Sequence, residues 1–198
     1  MKLIFISGPS GSGKTTLSKK IITKFKNGFV LSTDNYYKTG LLTNLLSIFF
    51  EGYFDKSISF NYRLFKEDFN FIISNGKSRN DRSYNFEKKS IKNYNRETNN
   101  INFLVIEGIF AKELSNILQN ENFFFLELKI NKNECMTRVV QRDTKERGKA
   151  KRKARIDFLK SWGIYYKKFK NKNIKKNTNE FLITKNTNID KLLNNIFN

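Results

Sequence analysis

Five short apolar runs punctuate the chain: KLIFI at 2–6, FVLS at 29–32, NFLVI at 102–106, FFFLEL at 123–128 and FLIT at 181–184. They are nearly continuous rather than alternating, as in strands buried on both faces. Between them lie stretches long enough for helices, at 14–26, 61–75, 110–119, 132–146, 150–170 and 189–197. Strands alternating with helices predict an α/β fold, a parallel sheet with helices on both sides. Two stretches break the rhythm. Residues 76–100 are polar and poorly periodic, with an inserted hairpin expected near SYNF, and 171–179 reads as a charged connector. No repeat or linker divides the 198 residues, a length that suits a single domain over 1–198.

The junction between the first strand and the first helix carries GPSGSGKTT, residues 8–16. Gly8, Gly13, Lys14 and Thr15 fit G-x-x-x-x-G-K-[ST], with the strand before and the helix after that the motif requires. Glycines let the backbone curl so that successive N–H groups face inward, and the helix N-terminus adds partial positive charge toward a polyphosphate. Ser10, Gly11, Ser12 and Thr16 complete this candidate phosphate cradle. Lys14 would supply a point charge to the β- and γ-phosphates of ATP, and Thr15 a hydroxyl for Mg²⁺.

In open α/β sheets, ligands bind beyond the carboxyl ends of the strands. Asp34 closes FVLSTD and Glu107 closes NFLVIE, so both carboxylates are expected in the crevice that holds the phosphate loop. Asp34, followed by Asn35, Tyr36 and Tyr37, is the candidate base for an attacking hydroxyl, or an N-cap of the helix after it. Glu107 suits Mg²⁺ held through water, or a salt-bridged strand end. In NECMTRVVQRDTKERGK, Arg138 and Arg142 lie four apart, with Arg147 and Lys149 around Gly148. These cations suggest a lid over 138–155 that closes on a polyphosphate. With KRKAR at 151–155 they equally suit a solvated basic helix or a nucleic-acid patch. Tyr84 and Phe86 are two apart, so on a strand their rings would share a face and could hold a flat base; core packing explains them equally well. Phe54 and Asp55 in GYFD could add a stacking surface and a carboxylate for sugar hydroxyls.

Composition narrows the class. Thirty-eight Lys and Arg against 18 Asp and Glu give a net charge of +20, which invites a nucleic-acid partner. The joint abundance of Lys, Asn, Ile and Phe, all read from A- and T-rich codons, offers compositional drift as the preferred explanation. There is no histidine, so proton transfer falls to carboxylates, Lys or Tyr. Cys135 is the only cysteine, which excludes an internal disulfide and suits a reducing compartment. MKLIFIS is too short for a signal peptide, and LLTNLLSIFF at 41–50 falls short of a bilayer span. A cytoplasmic protein without a membrane segment is expected; the sequence leaves room for a homo-oligomer.

Taken in order, GPSGSGKTT, VLSTDNYY, YFD, SYNF, VIEGIF and RDTKERGK resemble the uridine/cytidine kinase family of P-loop kinases over about residues 3–149. That resemblance implies a three-layer P-loop NTPase fold with an inserted substrate-side hairpin and a basic lid. It implies MgATP-dependent phosphorylation of the 5′-hydroxyl of uridine or cytidine, with Asp34 as base. Tyr37, Phe54 and Asp55 would line the nucleoside site, Tyr84 and Phe86 would flank the pyrimidine, and Arg142 and Arg147 would serve the lid. Two positions depart from the pattern. Lys89 stands where the family carries a histidine that reads the base edge, and Lys149 replaces the second arginine of R-G-R, keeping charge but losing the bidentate fork. Kinases for another small alcohol, such as ribulose 5-phosphate, pantothenate or nicotinamide riboside, remain alternatives, as does a nucleotide-dependent nucleic-acid binder.

Overall fold

The computed structural model describes residues 1–50, 52–86, 88–95, 97–118, 122–167 and 179–197. In chain order the first elements are β1 (Lys2–Ser7), α1 (Lys14–Lys24), β2 (Gly28–Ser32), α2 (Leu41–Phe49) and α3 (Tyr62–Asn75). Then come β3 (Asp81–Asn85), β4 (Ser90–Tyr94), β5 (Phe103–Glu107), α4 (Ala111–Ile117) and β6 (Phe123–Leu128). The chain continues with α5 (Lys132–Arg147), α6 (Lys151–Tyr165), β7 (Asn179–Ile183) and α7 (Ile189–Phe197).

The five expected strands pair in parallel in the order β2-β5-β1-β6-β7, with β1 at the centre. Alternation within the apolar runs builds the layers. Leu3, Phe5, Leu104, Ile106 and Phe125 face one core with Phe65, Phe69 and Ile72 of α3 and Leu114 of α4. Ile4, Ile6, Phe103, Val105 and Leu126 face the other, against Leu17 and Ile21 of α1 and Leu193 and Ile196 of α7. A third cluster, Cys135, Val139 and Phe158, joins α5 to α6. This is the three-layer P-loop NTPase arrangement expected from the sequence. Local signals fix the helix ends: the Asn61 side chain accepts from the Leu64 N–H at 3.1 Å, and Gly76 and Gly148 close α3 and α5.

The hairpin of 76–100 is β3 paired antiparallel with β4. Arg82 grips Asp68 of α3 with Nε (2.6 Å) and Nη2 (3.1 Å), and the Tyr36 hydroxyl donates to the same carboxylate at 2.9 Å. The Tyr84 N–H adds a bond to the Asn35 side chain at 3.1 Å, so the hairpin is docked beside the end of β2.

α2 was not anticipated. Its one buried residue is Thr43, while Leu41, Leu42, Leu45, Ile48 and Phe49 are exposed. That reverses the apolar-inward pattern by which amphipathic helices are recognised. α4 ends at Ile117, short of the sequence expectation; the α-helical part of α6 runs to Tyr165, and the last residues expected for it, 168–170, lie outside the described residues; Asn179 already belongs to β7. The connector at 171–178 lies outside the described residues. Among the described residues no helix is long and apolar enough to cross a membrane.

Candidate active site

The phosphate loop leaves β1 at Ser7 and enters α1 at Lys14. At Gly11 the backbone takes φ 79°, and a Cβ there would lie 2.5 Å from the Cys135 carbonyl oxygen of α5, so the close approach admits only glycine. The Lys14 ammonium donates to the loop's own carbonyls, Gly8 (2.9 Å) and Pro9 (3.1 Å). Burial lowers its pKa, and the carboxylates of Glu107 and Asp34 oppose that shift. The Ser12 hydroxyl is buried within the loop with no hydrogen-bond partner among the described residues.

Lys14 borders a cavity of about 810 Å³ that reaches from the phosphate loop to the hairpin. Asp34 lines it from the 3₁₀ turn Thr33–Tyr36 directly after β2. It caps no α-helix: the N-cap of α2 is Gly40. Its charge acts on Lys14, Tyr37, Asp55, Glu107 and Arg147.

Glu107 ends β5 in register with Ser32 and Ile6, deep between two strand ends. Its Oε1 accepts from the hydroxyls of Ser32 (2.8 Å) and Thr15 (3.3 Å). Burial raises its pKa, Asp34 adds to the rise, and Lys14 with the two hydroxyls opposes it. The next residue, Gly108, has φ 138°, and a Cβ there would lie 1.8 Å from the Thr33 hydroxyl oxygen. Among the described residues no three His, Cys, Asp or Glu side chains group as a metal cluster. Thr15 with Glu107 is instead the sparse, oxygen-only set that fits Mg²⁺, whose remaining ligands are phosphate oxygens and water.

At the far end, Tyr37 meets Phe54 edge-on at 5.3 Å and lies 5.2 Å from Tyr84 and 5.9 Å from Phe86. Tyr37, Phe54, Asp55, Phe86 and Lys89 all line the cavity. Tyr84 does not. Phe86 lies beyond the end of β3, so the two rings do not share a strand face. They meet at 79° with centroids 5.0 Å apart, leaving no slot for a flat ring between them. Tyr84 is a buried support, and Phe86 presents an edge of the wall, with the Arg147 guanidinium stacked 4.2 Å from its centroid. Lys89 donates to the Ser47 hydroxyl of α2 at 2.7 Å.

α5 and α6 close the cavity with cations. Arg138 donates to the Gly11 carbonyl at 3.2 Å and pairs with Glu134. Arg142 (2.8 Å), Arg147 (3.4 Å) and Lys149 (3.5 Å) converge on the buried carboxylate of Asp143, and Lys149 also reaches Asp157 at 2.7 Å. Asp143 was read only as part of a motif, and its role as hub appears once the helix turns at Gly148. Lys153, inside the expected lid span, borders the cavity; Asp157, Lys160 and Ser161, which α6 adds to the wall, and Ser47 of α2 carry no signal in the sequence. Charge alone cannot tell a cavity-facing basic helix from a solvated one. Gly8 and Ser12 are buried residues of the loop that do not border the cavity, whereas Ser10, Gly11, Gly13, Thr15 and Thr16 do.

Comparison with known proteins gives the family and the fold. Residues 3–171 match the Phosphoribulokinase / Uridine kinase family. A uridine kinase of Ureaplasma parvum serovar 3 is 29% identical over 153 residues, 75% of this chain and 72% of that one. Uridine-cytidine kinase C of Dictyostelium discoideum is 33% identical over 110 residues, 55% of this chain and 23% of the relative. In three dimensions the chain is similar to D-glycerate 3-kinase of Cryptococcus neoformans var. grubii, with a TM-score of 0.64 at 13% identity. That likeness, one of fold, covers 92% of this chain and 86% of the other. The chain belongs to the phosphoribulokinase/uridine kinase family and is a P-loop phosphotransferase with an alcohol acceptor.

Proposed function

We propose that the chain transfers the γ-phosphoryl group of ATP to the 5′-hydroxyl of a pyrimidine ribonucleoside, giving the 5′-monophosphate and ADP. The observation that carries this reading is the single cavity in which Lys14, Asp34 and the Tyr37–Phe54–Phe86 wall meet. The relatives named as uridine kinases support the acceptor class. Asp34 takes the proton of the 5′-hydroxyl as that oxygen bonds to the γ-phosphorus and the bond to the bridging oxygen of ADP breaks. Lys14, Arg142 and Arg147 supply positive charge where the transferring group spreads negative charge over its oxygens. Mg²⁺, held by Thr15 with Glu107 beside it, would neutralise phosphate charge when bound. Asp55 accepts a sugar hydroxyl. Lys89 offers only donors to the acceptor, which suits a carbonyl edge such as that of uracil.

A second reading has one observation in its favour. Lys89, Lys153 and Lys160 line the same cavity, and cations there suit an acceptor that itself carries a phosphate, such as ribulose 5-phosphate. A coupled ADP-release screen over uridine, cytidine, adenosine, pantothenate and ribulose 5-phosphate separates the two. Within the leading reading, Lys14→Ala abolishes turnover, while Asp34→Asn retains ATP binding and loses turnover by roughly 10²-fold or more. Normal turnover by Asp34→Asn removes the base from the mechanism.

A further inference from the structure

Serine inside a helix usually faces solvent or bonds back to its own backbone. Ser161 does neither. From the penultimate turn of α6 its hydroxyl donates to Asp55 Oδ2 at 2.7 Å, across 106 residues of sequence, and both side chains line the cavity. Asp55 ends the 3₁₀ turn Tyr53–Asp55, which packs against α6: a Cβ on Gly52 would lie 2.3 Å from Ile164 Cδ1. With Oδ2 occupied by Ser161, Oδ1 is left to accept from a ligand.

We propose that Ser161 is a positioning residue, which aims the Asp55 carboxylate at an acceptor hydroxyl and thereby ties the basic lid to the acceptor end of the cavity. The proposal rests on the acceptor-site reading of Asp55 given above. Burial drives the Asp55 pKa up, and the bond from Ser161 is the largest influence that opposes it. The other groups that act on the carboxyl are Asp34 and Asp157, which raise its pKa further, and Lys149, which lowers it. Tyr37, buried beside it, feels the same charge. Only the carboxylate form leaves both oxygens free of protons to accept hydrogen bonds, so Ser161 favours the form that can serve. The hydroxyl also orders the turn only while α6 is in place, so lid position and acceptor binding share one contact.

The test is steady-state kinetics of the full chain with uridine and MgATP from about pH 5 to 9, on wild type, Ser161→Ala, Ser161→Thr and Asp55→Asn. Ser161→Ala is expected to raise the uridine KM about tenfold and leave the ATP KM unchanged. It should also move the acid limb of kcat/KM for uridine to higher pH, because the carboxyl loses a bond that favoured its ionised form. Ser161→Thr, which keeps the hydroxyl, restores most of both. A Ser161→Ala enzyme with wild-type thermal stability, uridine KM and acid limb, alongside an impaired Asp55→Asn, overturns the positioning role alone. An unimpaired Asp55→Asn overturns the acceptor role of Asp55 and this proposal with it. A wild type that ignores uridine while phosphorylating another alcohol overturns the nucleoside reading itself.

Discussion

At the residue scale, the site holds ionisable groups close together and out of water. Glu107 is the sharpest case. Burial first, and Asp34 second, hold its pKa above the ordinary carboxylate value, against Lys14 and the hydroxyls of Ser32 and Thr15. A carboxyl whose folded pKa is raised costs stability once ionised: the penalty is absent below its unfolded pKa and complete above its folded one. Glu107→Gln is therefore expected to raise the melting temperature at pH 7, to bring no gain near about pH 3.5, and to lower turnover. Melting curves across pH test this; a loss of stability at pH 7 would mean that the two hydroxyl bonds outweigh desolvation. Legibility at this scale followed chain distance. Lys14, Thr15, Asp34 and Glu107 were found because strand ends and a local motif announce them. Ser161 and Asp143 were not, since a serine or aspartate in a helix acquires meaning only from a partner that the fold delivers.

At the element scale, α5 and α6 work as a pair hinged on Gly148 and pinned by Asp143. Asp143 is 3% exposed and faces three cations, and Arg147, already lowered by burial, is lowered further by Arg142. Asp143→Asn leaves those cations to repel one another without their counter-charge. Its expected cost is about 2 kcal/mol of stability, less than for a fully buried pair because Arg142 and Lys149 remain partly in water. A raised KM for ATP should accompany it. Urea unfolding measures the first and initial rates the second; an Asp143→Asn protein as stable as wild type would show that the hub is ornamental. The cationic edge that α5 and α6 give the cavity was visible in the sequence as a basic run with a turn glycine. α2 was invisible as a helix for the opposite reason: its apolar side chains face outward, so no periodicity pointed to a core.

At the scale of the whole molecule, the sheet and its flanking helices were legible because burial on both faces writes uninterrupted apolar runs. Strand order was not, since pairing β5 between β1 and β2 is a tertiary choice. The net charge of +20 is a property of the entire surface, and self-repulsion of that size opposes compactness. Raising sodium chloride from about 0.05 to 0.5 M is expected to raise the melting temperature, because screening relieves repulsion over distances beyond about 10 Å. A melting temperature that falls with salt would show that local ion pairs such as those on Asp143 outweigh the global field. One small position bounds how far such a chain can change. The backbone of Gly108 passes so near Thr33 that no larger residue can replace it, and glycine is written only with codons rich in G and C. A genome sliding toward A and T can recolour the surface with lysine and asparagine, yet at this codon its mutational pressure meets a wall set by the width of a hydroxyl group.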